Sequence, residues 1–181
     1  MNYGKRGMAL ENMIEYTNNI YKLKGVALVD KVPTPWNVHY DKRSGRVIRA
    51  FPQKKGTVDF VGISNGRSIA FDAKSTKERT RFPLSNVEQH QVEYLLNHQK
   101  QGGISFLIIF FEKHNEAYFM PINKFLVWWE GQFTGGRKSI PYDWFKSNVD
   151  LIQSKNGVPL DYLTHCKIQN NTSKKGVVYE Y

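Results

Sequence analysis

Asp59, Asp72 and Lys74 are the residues of this chain whose types and spacing can do chemistry together. They lie in TVDFVGISNGRSIAFDAK, residues 57–74, where two runs of alternating polar and apolar residues flank Asn65-Gly66. That pair supplies the two positive φ values of a tight type I′ turn, so the stretch reads as a β-hairpin with a two-residue loop. Counting back from the turn pairs Ile63 with Ser68, Val61 with Ala70, Asp59 with Asp72 and Thr57 with Lys74. Directly opposed residues share a face. Thr57, Asp59, Asp72 and Lys74 are therefore expected on one side of the sheet. The other side is expected to be apolar, with Val58 against Ala73 and Phe60 against Phe71.

Carboxylates placed opposite each other have Cβ atoms about 4.5–5.5 Å apart and repel unless something positive stands between them. A hard divalent ion suits them. Mg²⁺ takes oxygen ligands at about 2.0–2.1 Å and is usually held by one or two carboxylates, with water or substrate phosphate completing the shell. Lys74, two residues after Asp72, could orient an attacking water or offset negative charge developing on a phosphate. The competing reading is a solvated polar face in which Lys74 balances a nearby aspartate.

Several elements must position these residues. From Met8 to about Leu23, the residues Leu10, Met13, Ile14, Thr17, Ile20 and Tyr21 recur at helical spacing, and Gly25 ends the pattern. Glu11 begins this amphipathic helix, either for the helix dipole or as an outer group of a metal site. Val26 to Val32 reads as a short strand, broken by Pro33 and Pro35. After the hairpin, Ser85 and Glu88 fit a capping box and Gly102 a helix stop. On that helix Glu88, Gln91, Val92 and Leu95 share a face, so Gln91 tends inward. There it either satisfies a buried backbone group or turns toward the hairpin's polar face. ISFLIIFF, residues 104–111, reads as a strand buried on both sides, with Glu116 to Pro121 as its neighbour and Asn123 to Glu130 as a short helix. Trp144 and Phe145 belong to a further short helix, and Asp161 to Leu163 to a turn or edge strand. The tail from Gln169 is expected to be only partly ordered.

A chain of 181 residues is long enough for one domain with a substantial core. Its 26 Lys and Arg against 16 Asp and Glu leave a charge of +10, which points to a polyanion, nucleic acid first. The stretch WNVHYDKRSGRVIRAFPQKKG interleaves Lys42, Arg43, Arg46, Arg49, Lys54 and Lys55 with Trp36, Tyr40 and Phe51, cations for phosphates and rings for exposed bases. GGRKS adds Arg137 and Lys138 in a second basic loop, and Arg6 precedes the first helix as a solvated charge or a phosphate contact. No run approaches the ~20 apolar residues of a membrane span, and no apolar leader follows the N-terminal charges, so a cytoplasmic protein is expected. Cys166, the only cysteine, excludes an internal disulfide. The five histidines show no paired ligand spacing and read as surface or core residues.

The signature of an aspartate in a strand followed, after a turn, by Asp-Ala-Lys resembles that of the PD-(D/E)xK nucleases. KRGMALE, KVPTPWNVHYDKRSG, TVDFVGISNGRSIAFDAKSTKERTRFPL, HQVEYL and GGRKSI, in order over about residues 4–165, resemble the RecU family of Holliday junction resolvases. The resemblance implies a restriction-endonuclease-like α/β core, with a central mixed β-sheet flanked by helices and a projecting stalk. It implies a homodimer with one active site per subunit. Residues 1–168 would form the nuclease domain, and a stalk over about 32–55 would enter the centre of a four-way junction. By position, Thr57, Asp59, Asp72 and Gln91 match the family's Mg²⁺-binding residues and Lys74 its transition-state lysine. Mn²⁺ is a possible substitute, and a recombinase or branch-migration helicase a possible partner. Where the family typically has Glu-Ala-Lys, this chain has Asp72-Ala73-Lys74, one methylene shorter. A shorter N-terminus than that of cellular members is also expected, a pattern that suits a compact, phage-borne relative. Two other functions stay open: a junction-binding or strand-annealing protein with a weakened site, and a nuclease for linear duplex DNA.

Overall fold

The computed structural model describes residues 4–33, 36–52 and 57–166. Helix α1 (Gly4–Leu23) leads to strand β1 (Leu28–Lys31), then to a separate hairpin of β2 (Trp36–Tyr40) and β3 (Val47–Pro52). β4 (Phe60–Ser64) and β5 (Arg67–Thr76) form the expected hairpin, followed by the short β6 (Arg81–Pro83) and helix α2 (Gln89–Lys100). β7 (Ile104–Phe111), β8 (Glu116–Pro121), α3 (Ile122–Gly131), β9 (Ser139–Pro141), α4 (Tyr142–Asn148) and β10 (Asp150–Ile152) complete the chain, with a final 3₁₀ turn at Tyr162–His165.

Six strands form one mixed sheet in the order β1-β4-β5-β7-β8-β10. Among the described residues only β5 and β7 pair in parallel; α2 is the crossover between them. This is the mixed α/β core with a projecting hairpin that the resemblance implies. The turn is as read: Asn65 has φ 48° and Gly66 φ 74°. Ile63 faces Ser68 and Val61 faces Ala70 in the ladder.

The faces differ from expectation. β5 lies between β4 and β7 and is covered on both sides, so neither of its faces is a solvated polar one. On the α1 side, Phe60, Phe71, Phe106 and Phe119 stack across four strands with centroids 5.0, 4.7 and 4.4 Å apart, packed on Leu10, Ile14 and Tyr162. On the α2 side, Ala70, Leu107 and Ile109 meet Leu95, Phe125 and Phe145. Thr57 and Asp59 are not ladder residues, because β4 begins only at Phe60. The backbone bends there, and Val58 joins the α2-side core instead of standing beside Phe60 and Ala73.

Two local expectations are also corrected. α1 starts at Gly4, so Glu11 lies two turns inside it, and Arg6 is within the helix rather than ahead of it. The capping box sits at Glu88 and Gln91, not at Ser85 and Glu88, because Leu84–Asn86 forms a 3₁₀ turn that delays the helix start. Of the two readings of Asp161 to Leu163, the turn holds: Asp161 leads into the 3₁₀ turn Tyr162–His165. Gly25 and Gly102 end α1 and α2 in left-handed conformation, as read. Lys54, Lys55 and the tail from Gln169 lie outside the described residues. Among the described residues, no helix is long and apolar enough to cross a membrane.

Gly62 holds the first two strands together by having no side chain. A Cβ there would come within 2.3 Å of the Leu28 carbonyl oxygen and 2.6 Å of Val29 Cα, both backbone atoms that cannot turn away. Gly62→Ala is expected to push β1 off β4 and cost about 1–3 kcal/mol, read as a lowered urea midpoint with little change in slope.

Candidate active site

Asp72 is the centre of the site and is fully buried, at 0 % exposure. It lies on the α2 side of β5, and two side chains meet its oxygens. Lys74 Nζ stands 2.7 Å from Oδ2, and Gln91 Nε2 donates to Oδ1 at 2.8 Å. The orientation of Gln91 follows from its two neighbours. Its Oε1 accepts the backbone N–H of Glu88 at 3.0 Å, closing the helix cap, so only the amide N–H₂ is left for the carboxylate. The residue that caps α2 thus also holds Asp72.

Asp59 approaches from the bend ahead of β4. Its Oδ2 accepts the Ala73 N–H at 2.9 Å, and its own carbonyl accepts the Val32 N–H at 2.8 Å, at the root of the projecting hairpin. Burial raises the Asp59 pKa, against the Ala73 N–H and the Lys74 charge, which lower it; Glu11 raises it further. Burial likewise pushes Asp72 up, to about 7, with Lys74 opposing and the Asp59 charge adding. The two carboxyls interact, so their protons come off as those of a pair and not of two separate groups.

Glu11 faces the same place. It joins Asp59, Lys74, Ser75 and Glu112 around a cleft of about 560 Å³ at the C-terminal end of β5. Lys31 bridges Glu11 and Glu15 at 2.8 and 3.0 Å. Glu11 is therefore near the candidate site, as the sharper of its two sequence readings has it, and its position two turns into α1 removes the dipole reading. Thr57 is exposed on the bend, two residues before Asp59.

The donor set fits a hard cation. Among the described residues no three His, Cys, Asp or Glu side chains converge as a closed metal cage. Mg²⁺ does not need one, since one or two carboxylates with water and substrate phosphate are its usual shell. Asp59 and Asp72 are the groups that would hold it, and their crowding supplies the reason to bind one.

The basic residues fall into two places. β2 and β3 form a hairpin of their own, with Lys42 and Arg43 at the tip, Arg46 beside it and Arg49 on β3, all exposed. Trp36, Tyr40 and Phe51 are exposed there too, a large apolar area for a surface hairpin. Asp41, the one acid of the stretch, is spent on the tip, accepting the N–H groups of Arg43 and Ser44 at 2.9 and 2.7 Å. Arg137 and Lys138 are exposed on the loop before β9, and the Lys138 carbonyl accepts the Leu84 N–H at 3.0 Å. This ties that loop beside Pro83 and Asn86 of the cleft wall. Sequence reading passed over Lys77, Arg79 and Arg81, which follow β5 directly; the signal was a run of three cations within seven residues of the Asp-Ala-Lys motif.

The sequence model of the family described as Recombination protein U, RecU, matches residues 5–168. The chain belongs to the RecU family. The Holliday junction resolvase RecU of Oceanobacillus iheyensis is 40 % identical over 165 residues, covering 89 % of this chain and 84 % of that protein. The protein of the same name from Geobacillus sp. is 43 % identical over 144 residues, 77 % and 72 % of the two chains. That from Staphylococcus epidermidis is 42 % identical over 165 residues, 89 % and 79 %. Among solved structures, Archaeoglobus fulgidus Hjc, a Holliday junction resolvase, aligns with a TM-score of 0.45 at 12 % identity over 75 % of this chain and 92 % of that one.

The raised Asp72 pKa in this RecU-family chain has a measurable sign. A carboxyl whose folded pKa lies above its unfolded value of 3.8 binds an extra proton in the folded state, so its contribution to stability falls as pH rises from there to about 7. In chelator, the melting temperature of Asp72→Asn is expected to gain on that of the unaltered protein by several degrees between about pH 5 and pH 8. A constant difference across that range would show that Asp72 is not held protonated.

Proposed function

We propose that this chain is a divalent-metal-dependent, structure-selective DNA endonuclease that resolves four-way junctions. One observation carries the reading: Asp59 on its bend and Lys74 line a cleft at the root of a basic, aromatic hairpin, and the buried Asp72 stands directly behind Lys74, 2.7 Å from its Nζ. Membership in the RecU family supports the same activity, since curated members bear the name Holliday junction resolvase.

Asp59 and Asp72 would hold the ion, with Thr57 and Gln91 at the remaining positions carried over from the family. When bound, a divalent ion neutralises phosphate charge and makes water a better nucleophile. Gln91 donates to Asp72 and keeps its carboxylate aimed. Should it serve as a ligand directly, its amide must turn over and give up the bond to Glu88 N–H. Lys74 Nζ, already at the Asp72 carboxylate, is the cation that offsets charge building on the phosphate. The hairpin's Lys42, Arg43, Arg46 and Arg49 select branched DNA by shape and charge, not base sequence. Arg6, Lys54 and Lys55 belong to the same reading by position. Two copies related by a two-fold axis would place paired nicks on opposed strands, and a recombinase or branch-migration helicase would supply the junction. Mg²⁺ is the expected ion; because Asp72 is one methylene shorter than the family's usual Glu, cleavage with Mn²⁺ alone would point to its changed reach as the cause.

The test is cleavage of a synthetic four-way junction beside a linear duplex of the same sequence, in Mg²⁺, in Mn²⁺ and in chelator. Metal-dependent symmetric nicks confined to the junction are expected. Tight junction binding without cleavage in any metal would mean a binding or annealing protein, and equal cutting of both substrates a duplex nuclease. Asp59→Ala is expected to lower cleavage on the order of a thousandfold or more while junction affinity holds within a few-fold. Loss of both would remove the metal role from Asp59.

A further inference from the structure

The segment after β5 carries Lys77, Arg79 and Arg81, all exposed, and Lys77 and Glu78 line the cleft beside Lys74. Three hydrogen bonds fasten its backbone. The Glu78 N–H donates to Thr76 Oγ1 at 3.2 Å, His114 Nε2 reaches the Arg79 carbonyl at 2.8 Å, and the Tyr142 N–H donates to the Thr80 carbonyl at 2.9 Å. Arg81 then enters the β6–β9 ladder opposite Pro141. The far end of that ladder, Pro83 against Ser139, leads straight to Lys138 and Arg137. Two basic segments about 60 residues apart in sequence are thereby joined along one edge.

That edge lies across the site from the projecting hairpin. The hairpin springs from β1 and is bonded at Val32 to Asp59; the fastened segment leaves β5 on its β7 side and is tied to the β7–β8 turn. Among the described residues, the one ion pair in the segment joins Arg81 to Glu78 at 3.4 Å, with both side chains about half exposed. Such a pair is easily exchanged for a phosphate. The nearby rings are engaged within the fold: His114 and Tyr142 are stacked on each other, 4.0 Å apart and 6° from parallel, and Lys146 Nζ stands 5.0 Å over the Tyr142 ring. Cations held on a fastened backbone, beside rings already engaged, suit a duplex backbone better than an unpaired strand.

We infer that Lys77, Arg79 and Arg81, continued by Arg137 and Lys138, form a phosphate-binding edge for the duplex arm that leaves the site on the side away from the hairpin. This rests on the reading of the chain as a junction endonuclease, and it names a substrate contact which that reading lacked.

The experiment is the salt dependence of binding to a four-way junction, measured in chelator so that nothing is cut. The unaltered protein is compared with Lys77→Ala/Arg79→Ala/Arg81→Ala. The control is Lys22→Ala/Lys24→Ala/Lys155→Ala, which removes the same charge from exposed lysines around the Asn65 turn at the other end of β5. Each phosphate contact contributes about −0.9 to the slope of log affinity against log salt, so the first variant should be shallower by about 2–3 and the control unchanged. Trimming the junction arms to less than one helical turn should erase the difference between the first variant and the unaltered protein. An unchanged slope, an equal change in the control, or a difference that survives trimming would each overturn the inference. Failure of the underlying reading looks different: the unaltered protein would then bind the junction no better than linear duplex.

Discussion

Everything at the site depends on a carboxylate placed in the interior of the sheet. β5 is covered on both faces, and Asp72 in its middle has no exposure to water. A charge there costs several kcal/mol of lost hydration unless neighbours replace the water. The chain replaces it locally. Lys74 comes from the same strand two residues on, and Gln91 from the crossover helix that the parallel β5–β7 pair requires. Gln91 uses one end of its amide to cap α2 and the other to hold Asp72, so the start of that helix and the orientation of the carboxylate are one fact. The compensation is partial, and the remaining strain shows as a carboxyl that holds its proton far above the usual carboxylate range. Active sites commonly carry such a cost because a bound ion or substrate relieves it.

The rest of the fold keeps that strand still. The ring stack from Phe60 through Phe71 and Phe106 to Phe119 crosses the four middle strands on the α1 side, and the α2-side core closes the other. Against this rigid body the β2–β3 hairpin stands by itself, its rings exposed and its strands paired only with each other. A surface of that kind is unfavourable in water and is retained where a partner covers it. The molecule divides accordingly: precision of geometry resides in the sheet, reach in the hairpin and the basic loops.

The hairpin register was legible because Asn65-Gly66 admits one tight turn and the alternation admits one face assignment. Pairing from Ile63/Ser68 to Phe60/Phe71 follows from those two facts alone. What failed was extending the count past the end of the ladder. Whether β4 continues to Thr57 is decided by the bend that carries the chain in from the hairpin, and that is a tertiary matter; the same bend turns Val58 to the opposite core. Asp59 still reaches Asp72, through its side chain's bond to Ala73 N–H and not through strand pairing. The helix cap slipped for a similar reason, since a Ser-x-x-Glu pattern cannot reveal that a 3₁₀ turn uses up its first residues. The three-residue β6 and β9 have too little periodicity to be read at all, and with them went the neighbourhood of Lys77–Arg81 and Arg137–Lys138.

The aspartate at position 72, one methylene shorter than the glutamate that the family resemblance implies, has a definite structural consequence. Asp72 is a ladder residue of a central strand, its Cα fixed by β5–β7 pairing opposite Leu107 and its oxygens engaged by Lys74 and Gln91. It cannot advance toward the cleft without breaking the sheet. Asp59 is placed differently, on a bend outside the ladder, held by one side-chain and one main-chain hydrogen bond. Backbone of that kind shifts at far lower cost than a central strand does. Any adjustment that lets the two carboxylates share an ion therefore falls on Asp59 and the 57–59 bend, which follow the basic, aromatic hairpin in the chain. The aspartate free to move is thus the one whose main chain is bonded to Val32, at the root of the hairpin, while the other is fixed in the sheet.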